Sequence, residues 1–294
     1  MEIEVSSLAD ALAENLKDRF EGGIEILNIR GIGGGSINTA MLIKTSRGDF
    51  FAKYNDSSRY KGMFVAEARN LGLLAAARAL YTPTVLCTFT LEGKEFLVLE
   101  YIESGTPHYD FWRDFGGGLA RMHKQSAPQY GLEYDNFIGS LPQLNSQKDN
   151  WVDFFIANRL DPMLRMAVDA GKADADLVKK FESLYSKLPD IFPEEKPALL
   201  HGDLWNGNCM ADLNGEPVIY DPAVYYGHRE MDLAMSRLFG GFETEFYEAY
   251  HEEYPLEKHW EQRISICNLY PLLVHVNLFV GSYIQSVKNI VCRY

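Results

Sequence analysis

Four cysteines, Cys87, Cys209, Cys267 and Cys292, are too few and too scattered for a disulfide scaffold or a thiolate metal site. That sparing use suits a reducing compartment. Basic charge is also short: 28 Lys and Arg stand against 41 Asp and Glu, a formal net charge of −13, and no Lys/Arg-rich run appears. The electrostatic footprint of a nucleic-acid binder is missing, so neither DNA nor RNA is an expected partner. Long apolar runs are missing too. Residues 270–284 come nearest, but His275, Asn277 and Ser282 interrupt a stretch already too short to cross a bilayer. The opening MEIEVSSLADALAENLKDRF is acidic and amphipathic, with no signal-peptide apolar core. The expectation is a soluble cytoplasmic protein with no membrane partner, its oligomeric state left open. No GxxxxGK[ST] occurs. Gly31-x-Gly33 has Ser36 where a dinucleotide fingerprint needs its third glycine, and a strand pattern follows where that fold needs a helix.

What is present is concentrated in residues 198–223, ALLHGDLWNGNCMADLNGEPVIYDPA. Apolar Leu199 and Leu200 lead into His201-Gly202-Asp203, Asn208 follows five positions later, and Val218-Ile219-Tyr220 delivers Asp221 into the turn Pro222-Ala223. Two short strands flanking a turn fit this pattern. Phosphoryl transfer from a nucleotide needs a carboxylate to orient and deprotonate the accepting hydroxyl, and hard oxygen ligands to hold magnesium against the phosphates. Asp203 fills the catalytic role, Asn208 and Asp221 the metal-binding one, and their order is that of a kinase catalytic loop and metal turn. ATP and Mg2+ are the implied cofactors. The motifs read His-Gly-Asp and Asp-Pro-Ala where protein kinases have His-Arg-Asp and Asp-Phe-Gly, which points to small-molecule kinases. Trp205, two residues after the proposed base in a polar loop, is placed to stack on a sugar ring.

The preceding chain supplies further parts in kinase order. Leu8, Leu12, Leu16 and Phe20 recur at four-residue steps behind Ser7 and Asp10, predicting a helix capped by Ser7. A strand over 24–30 runs into a glycine loop before a second strand over 37–44. Gly33, Gly34, Gly35 and Ser36 are its candidate nucleotide-covering residues, because glycines let backbone amides approach phosphate oxygens. Lys53, in a strand over 50–54, has the place of the kinase lysine that pairs with the α and β phosphates; a solvent-facing strand lysine fits the same alternation. Glu67, on a helix over 64–80, is the acid placed to pair with it. A hairpin over 84–102 completes a small antiparallel sheet, and Glu100, Tyr101 and Ile102 match the kinase hinge whose backbone meets adenine. Beyond Ser104-Gly105 the pattern is mostly helical, with helices over 111–124, 151–170, 174–188, 243–250, 260–280 and 281–293. Gly116-Gly117-Gly118 either packs closely or breaks the first of these. The expected fold is α+β: a two-lobed protein-kinase-like fold, with residues 1–103 a nucleotide-binding lobe built on a small antiparallel sheet and one key helix, and residues 104–294 a larger, mostly helical lobe for catalysis and acceptor binding.

The strings HGDLWNGN and DPAVYYGHREMDLAMSRLFGGF, with NFIGSLPQLN at 136–145 and WVDFFIANRL at 151–160, resemble the fructosamine kinase (ketosamine-3-kinase) family over most of the chain. The resemblance implies ATP-dependent phosphorylation of a ketosamine, a fructosamine or ribulosamine either free or lysine-linked, on the sugar 3-hydroxyl, as a deglycation repair step. It also makes His275, in a C-terminal His-x-Asn segment, a candidate for lining the acceptor site, although His275 fits a hydrogen-bonded core histidine as well. In kinase-like folds an acid in the region of Asp232 supports the catalytic loop from below, with helix capping the plainer alternative, and His201 at the head of that loop is expected to give similar support. An aminoglycoside- or choline-type phosphotransferase of the same fold is the rival reading, since fold alone does not set the acceptor. A catalytically silent nucleotide-binding scaffold is a third, against which stands the presence of base, metal ligands and strand lysine together.

Overall fold

The computed structural model describes residues 5–33, 38–279 and 281–294. Its first half is a five-stranded antiparallel sheet with a helix on each face. Helix α1 (Val5–Leu16) is followed by β1 (Ile26–Ile32), β2 (Thr39–Thr45), β3 (Gly48–Asp56), α2 (Met63–Ala77), β4 (Val85–Leu91) and β5 (Lys94–Glu100), in spatial order β1-β2-β3-β5-β4. The two-residue period of a strand divides β3 and β5 between the faces. Phe50, Ala52, Phe96 and Val98 pack with Leu8, Leu12 and Leu16 of α1, whereas Leu97 and Leu99 pack with Phe64 and Leu71 of α2. Both faces are thus buried, and Lys53 falls on the α2 side. Glu92 and Gly93 both take positive φ in the β4–β5 turn, as a tight hairpin requires.

The second half is mainly helical. In chain order it comprises α3 (Phe111–His123), the hairpin β6 (Asn136–Ile138) and β7 (Leu141–Gln143), α4 (Trp151–Phe155), a π-helical turn (Ile156–Leu160), α5 (Asp161–Asp169), α6 (Ala175–Tyr185), α7 (Leu188–Ile191), the short strands β8 (Ala198–Leu200), β9 (Cys209–Ala211), β10 (Pro217–Ile219) and β11 (Tyr225–Gly227), and then α8 (Glu230–Leu238), α9 (Thr244–Glu253), α10 (Trp260–Cys267), α11 (Leu269–Leu278) and α12 (Tyr283–Val291). The α+β, protein-kinase-like class expected from the sequence is the one found.

Several local expectations are corrected. Helix α1 is already formed at Val5, so Ser7 lies inside it and not at the cap position before it. Helix α2 stops at Ala77, where Arg78 turns left-handed at φ 52. The central stretch holds three short strands instead of two, because β8 pairs with β11 while β9 pairs with β10. The helix expected over 151–170 is interrupted by a π turn that carries Arg159 inward to complete burial. The helix over 260–280 restarts at Leu269, with Pro271 in the new first turn, where its missing N–H costs no hydrogen bond.

Helix α3 runs unbroken through its three glycines. Gly116 faces the main chain of α9, where a Cβ would fall inside the van der Waals radius of the Phe246 carbonyl, and Gly118 faces Leu80. Close packing, not a break, is therefore the reason for the triplet.

Candidate active site

A large cleft lies between the sheet and the helical half. On its sheet side the Lys53 ammonium is 2.7 Å from Glu67 Oε1 and 2.7 Å from Asp221 Oδ1. The strand, the helix and the turn each contribute one member of this triad. Burial opposes the lysine's charge, but the carboxylates of Asp221 and Glu67 outweigh it and hold its pKa above the ordinary value. Burial pushes the Glu67 carboxyl up to about 7, with Lys53 pulling the other way.

Gly33 lines the cleft; Gly34, Gly35 and Ser36 lie outside the described residues. Glu100, Tyr101 and Ile102 line its far end. The Glu100 carboxylate is turned away, accepting from the Tyr81 hydroxyl at 2.6 Å and the Thr84 backbone at 3.2 Å. The Glu100 side chain is thereby withdrawn from a base, which leaves this residue's main chain to meet one.

On the helical side, β8 delivers His201-Gly202-Asp203 to the cleft. Asp232, in the first turn of α8 and fully buried, accepts from the backbone N–H of His201 at 2.7 Å and of Gly202 at 2.9 Å. Its carboxylate thus fastens the loop and caps no helix. The buried His201 ring donates from Nε2 to the Tyr220 carbonyl at 3.0 Å and accepts at Nδ1 from the Asp203 N–H at 3.3 Å, and burial lowers its pKa, so it is neutral. Gly202 has φ 83, and the Ala223 carbonyl occupies the space where its Cβ would be. An arginine in this place, as in protein kinases, would meet both obstacles. The glycine of the motif follows from the close approach of the two loops.

Asp203 and Asn208 are brought together: the Asn208 amide nitrogen donates to the Asp203 carboxylate and to its main-chain carbonyl, each at 2.9 Å. That leaves the Asn208 carbonyl oxygen for a cation. Burial pushes the Asp203 carboxyl up to about 7, the Asn208 hydrogen bond opposes it, and the nearby Asp221 and Asp232 add to it. Asp221 is half exposed to the cleft and has one oxygen engaged by Lys53. The Asp221 carboxylate and the Asn208 amide oxygen are hard donors of the kind magnesium takes.

Trp205 lies at the mouth of the cleft, its ring 6.0 Å from that of Phe239, which is 4.7 Å from the His275 imidazole. Phe279 and Tyr283 close around the other side of His275 at 5.3 and 5.0 Å. His275 donates from Nδ1 to the Pro271 carbonyl at 2.7 Å, and burial lowers its pKa. It is therefore both hydrogen-bonded into its helix and part of the cleft lining, as a neutral ring whose Nε2 has no partner among the described residues. Phe279 carried no sequence signal, since aromatics in apolar helices are usually core, and Phe239 lies in the DPAVYYGHREMDLAMSRLFGGF string without being singled out there. The carboxamides Asn70, Asn136 and Gln143 behind the Asp221 turn carried none either, although the second and third sit in the NFIGSLPQLN string.

Residues 8–294 match the fructosamine kinase family. The chain belongs to that family and is a kinase. A Synechocystis protein described as a probable ketoamine kinase is 39% identical over 279 residues, covering 95% of this chain and 94% of that one. The chloroplastic protein-ribulosamine 3-kinase of Arabidopsis thaliana is 37% identical over 275 residues, with 92% of this chain and 83% of that one covered. The crystal structure of a candidate fructosamine-3-kinase from Thermobifida fusca superposes with a TM-score of 0.87 at 31% identity, covering 98% of each chain. An aminoglycoside phosphotransferase, APH(4)-Ia, in complex with AMP-PNP and hygromycin B, superposes at TM-score 0.61 with 16% identity over 98% of this chain and 96% of that one. This more distant likeness concerns the fold.

Proposed function

We propose that this kinase transfers the γ-phosphoryl group of ATP to the 3-hydroxyl of a ketosamine, a fructosamine or ribulosamine that is free or linked to lysine, as a step of deglycation repair in the cytoplasm. The observation that carries the reading is that Asp203 lines one cleft together with the Lys53–Asp221 pair and with Trp205 and His275. The names of the family relatives support the acceptor class.

In this reading residues 1–103 bind the nucleotide, residues 104–294 carry catalysis and the acceptor, and each side chain has one role. Main-chain groups of Glu100, Tyr101 and Ile102 meet adenine, the loop at Gly33 covers the phosphates, and Lys53, steadied by Glu67, contacts them. Asn208 and Asp221 would hold magnesium, which when bound neutralises charge on the phosphate oxygens. Asp203 orients the acceptor hydroxyl and takes its proton, with Asp232 and His201 fixing the loop that aims it. Trp205 and His275 sandwich the sugar, whose apolar face suits an aromatic surface. Among the described residues, the acids lining the cleft other than Asp203, namely Glu67, Glu100 and Asp221, all belong to the nucleotide side. The acceptor pocket therefore suits a single protonated amine better than a polycationic aminoglycoside, which needs several carboxylates.

The test is ATP consumption by the purified protein with magnesium, against fructosyl-lysine, ribulosyl-lysine, free sugars, choline and an aminoglycoside. Turnover confined to the ketosamines is expected. Turnover on choline or the aminoglycoside alone overturns the acceptor assignment and leaves the kinase.

A further inference from the structure

Behind Asp221 lies a polar arrangement that the phosphoryl-transfer reading does not use. Three successive main-chain carbonyls, those of Pro222, Ala223 and Val224, each accept from one buried carboxamide: Asn70 Nδ2 at 3.1 Å, Gln143 Nε2 at 2.9 Å and Asn136 Nδ2 at 2.8 Å. The three amides come from α2, β7 and β6, and all are essentially inaccessible to water.

Their orientation is fixed from behind. The Asn70 oxygen accepts from the Tyr134 hydroxyl at 3.1 Å and from Asn136 at 3.2 Å. The Asn136 oxygen accepts from Gln143 at 2.8 Å and Asn145 at 3.0 Å, and the Gln143 oxygen from the Tyr270 hydroxyl at 2.8 Å. Asn145 is held in turn by the buried Arg159 guanidinium at 2.8 Å. A guanidinium only donates and a main-chain carbonyl only accepts, so these bonds run in one direction and no amide reverses without leaving buried groups unpaired. The turn they hold needs holding. Asp221 has φ 54, a left-handed conformation that a non-glycine residue keeps only where its surroundings over-determine it.

We propose that Asn70, Asn136 and Gln143 are positioning residues that keep the 221–224 turn in this left-handed form, with the Asp221 carboxylate aimed at the metal site before nucleotide arrives. The inference rests on the reading of Asp221 as a magnesium ligand. It also accounts for the NFIGSLPQLN segment, since the β6–β7 hairpin becomes a strut that supplies two of the three donors.

Gln143→Met keeps the side chain's length and removes both its donor and its acceptor; Tyr270→Phe removes only the proton that orients Gln143. For each, binding of a non-hydrolysable ATP analogue is measured by calorimetry without metal and at rising Mg2+, alongside the Mg2+ dependence of turnover and the melting temperature. The Mg2+ concentration for half-saturation is expected to rise about three- to tenfold in Gln143→Met and about twofold in Tyr270→Phe, the scale of one lost buried hydrogen bond, with analogue affinity in the absence of metal unchanged. A lowered melting temperature with the parent's Mg2+ dependence in both variants would mean a structural role only and overturns the inference. Should Gln143→Met fail to fold, Tyr270→Phe and Tyr134→Phe decide it by the same criterion. If the parent itself binds the analogue equally with and without Mg2+, the reading of Asp221 as a metal ligand fails, which is a separate result.

Discussion

The Trp205 indole lies across Gly207, in the space where a side chain at position 207 would begin. The two residues are linked by the 3-10 turn Asn206–Asn208, so the glycine that lets the ring settle is two positions from the ring itself. Gly207→Ala should displace the indole and raise the acceptor KM about fivefold, the scale of one lost aromatic contact, with the KM for ATP little changed. Initial rates across acceptor concentration at saturating ATP would show this. An unchanged acceptor KM would remove Trp205 from the acceptor site.

Asp203→Asn should cut turnover by orders of magnitude while leaving nucleotide binding near the parent's, because the proton-accepting role acts in the transition state. The same variant should be more stable. The folded pKa of Asp203, pushed up to about 7, lies above its ordinary 3.8, so the native state holds the proton more tightly than the unfolded chain. Stability is therefore full below about 3.8 and is lost as pH rises toward 7 and the buried carboxyl ionises. Removing the charge should raise the melting temperature at pH 8 by about 2 °C or more and have little effect at pH 4. A variant that melts lower at pH 8 contradicts this account.

The same group sets an expectation for rate against pH. As a base, Asp203 works only when ionised, so kcat/KM should climb through an inflection near pH 7 and level off above it. Glu67 also titrates near 7, which makes Glu67→Gln the informative control. An inflection that persists in Glu67→Gln belongs to Asp203, and one that vanishes belongs to the Lys53–Glu67 pair.

Lys53→Met strands two carboxylates, Glu67 and Asp221, that the ammonium now holds at 2.7 Å each. Removing one partner of a buried pair costs about 3–5 kcal/mol, so the variant should melt well below the parent at pH 8. Because Lys53 holds the Glu67 pKa down, Glu67 in the variant takes up its proton at a higher pH than in the parent, so the deficit should shrink as pH falls toward 7 and stay constant below it, where Glu67 is protonated in both. Melting curves across pH test this; a deficit constant across the whole range would place the loss in packing.

Much of the architecture is written in local patterns that survive without tertiary context. The apolar and aromatic run Phe50-Phe51-Ala52 around Lys53 marks a strand, and the spacing of Asp203, Asn208 and Asp221 marks a pair of loops that meet. What was illegible depends on distant partners. Arg159 lies in what the sequence shows only as helical periodicity, yet the π turn buries it against Tyr225 and Asn145, contacts set by residues outside its own helix. Asn70 reads as an exposed helix position until the Pro222 carbonyl, 152 residues on, is placed against it. Phe279 follows an apolar helix, where nothing in the sequence distinguishes the cleft wall it forms from an interior.

The glycine face of α3 has a consequence for what this sequence can become. Where side chains mesh between helices, one substitution is commonly absorbed by another, and the interface drifts while the fold persists. At Gly116 the opposing surface is the Phe246 carbonyl, main chain that no substitution can reshape. The seating of α9 on α3 is therefore written in backbone, and position 116 has no second solution.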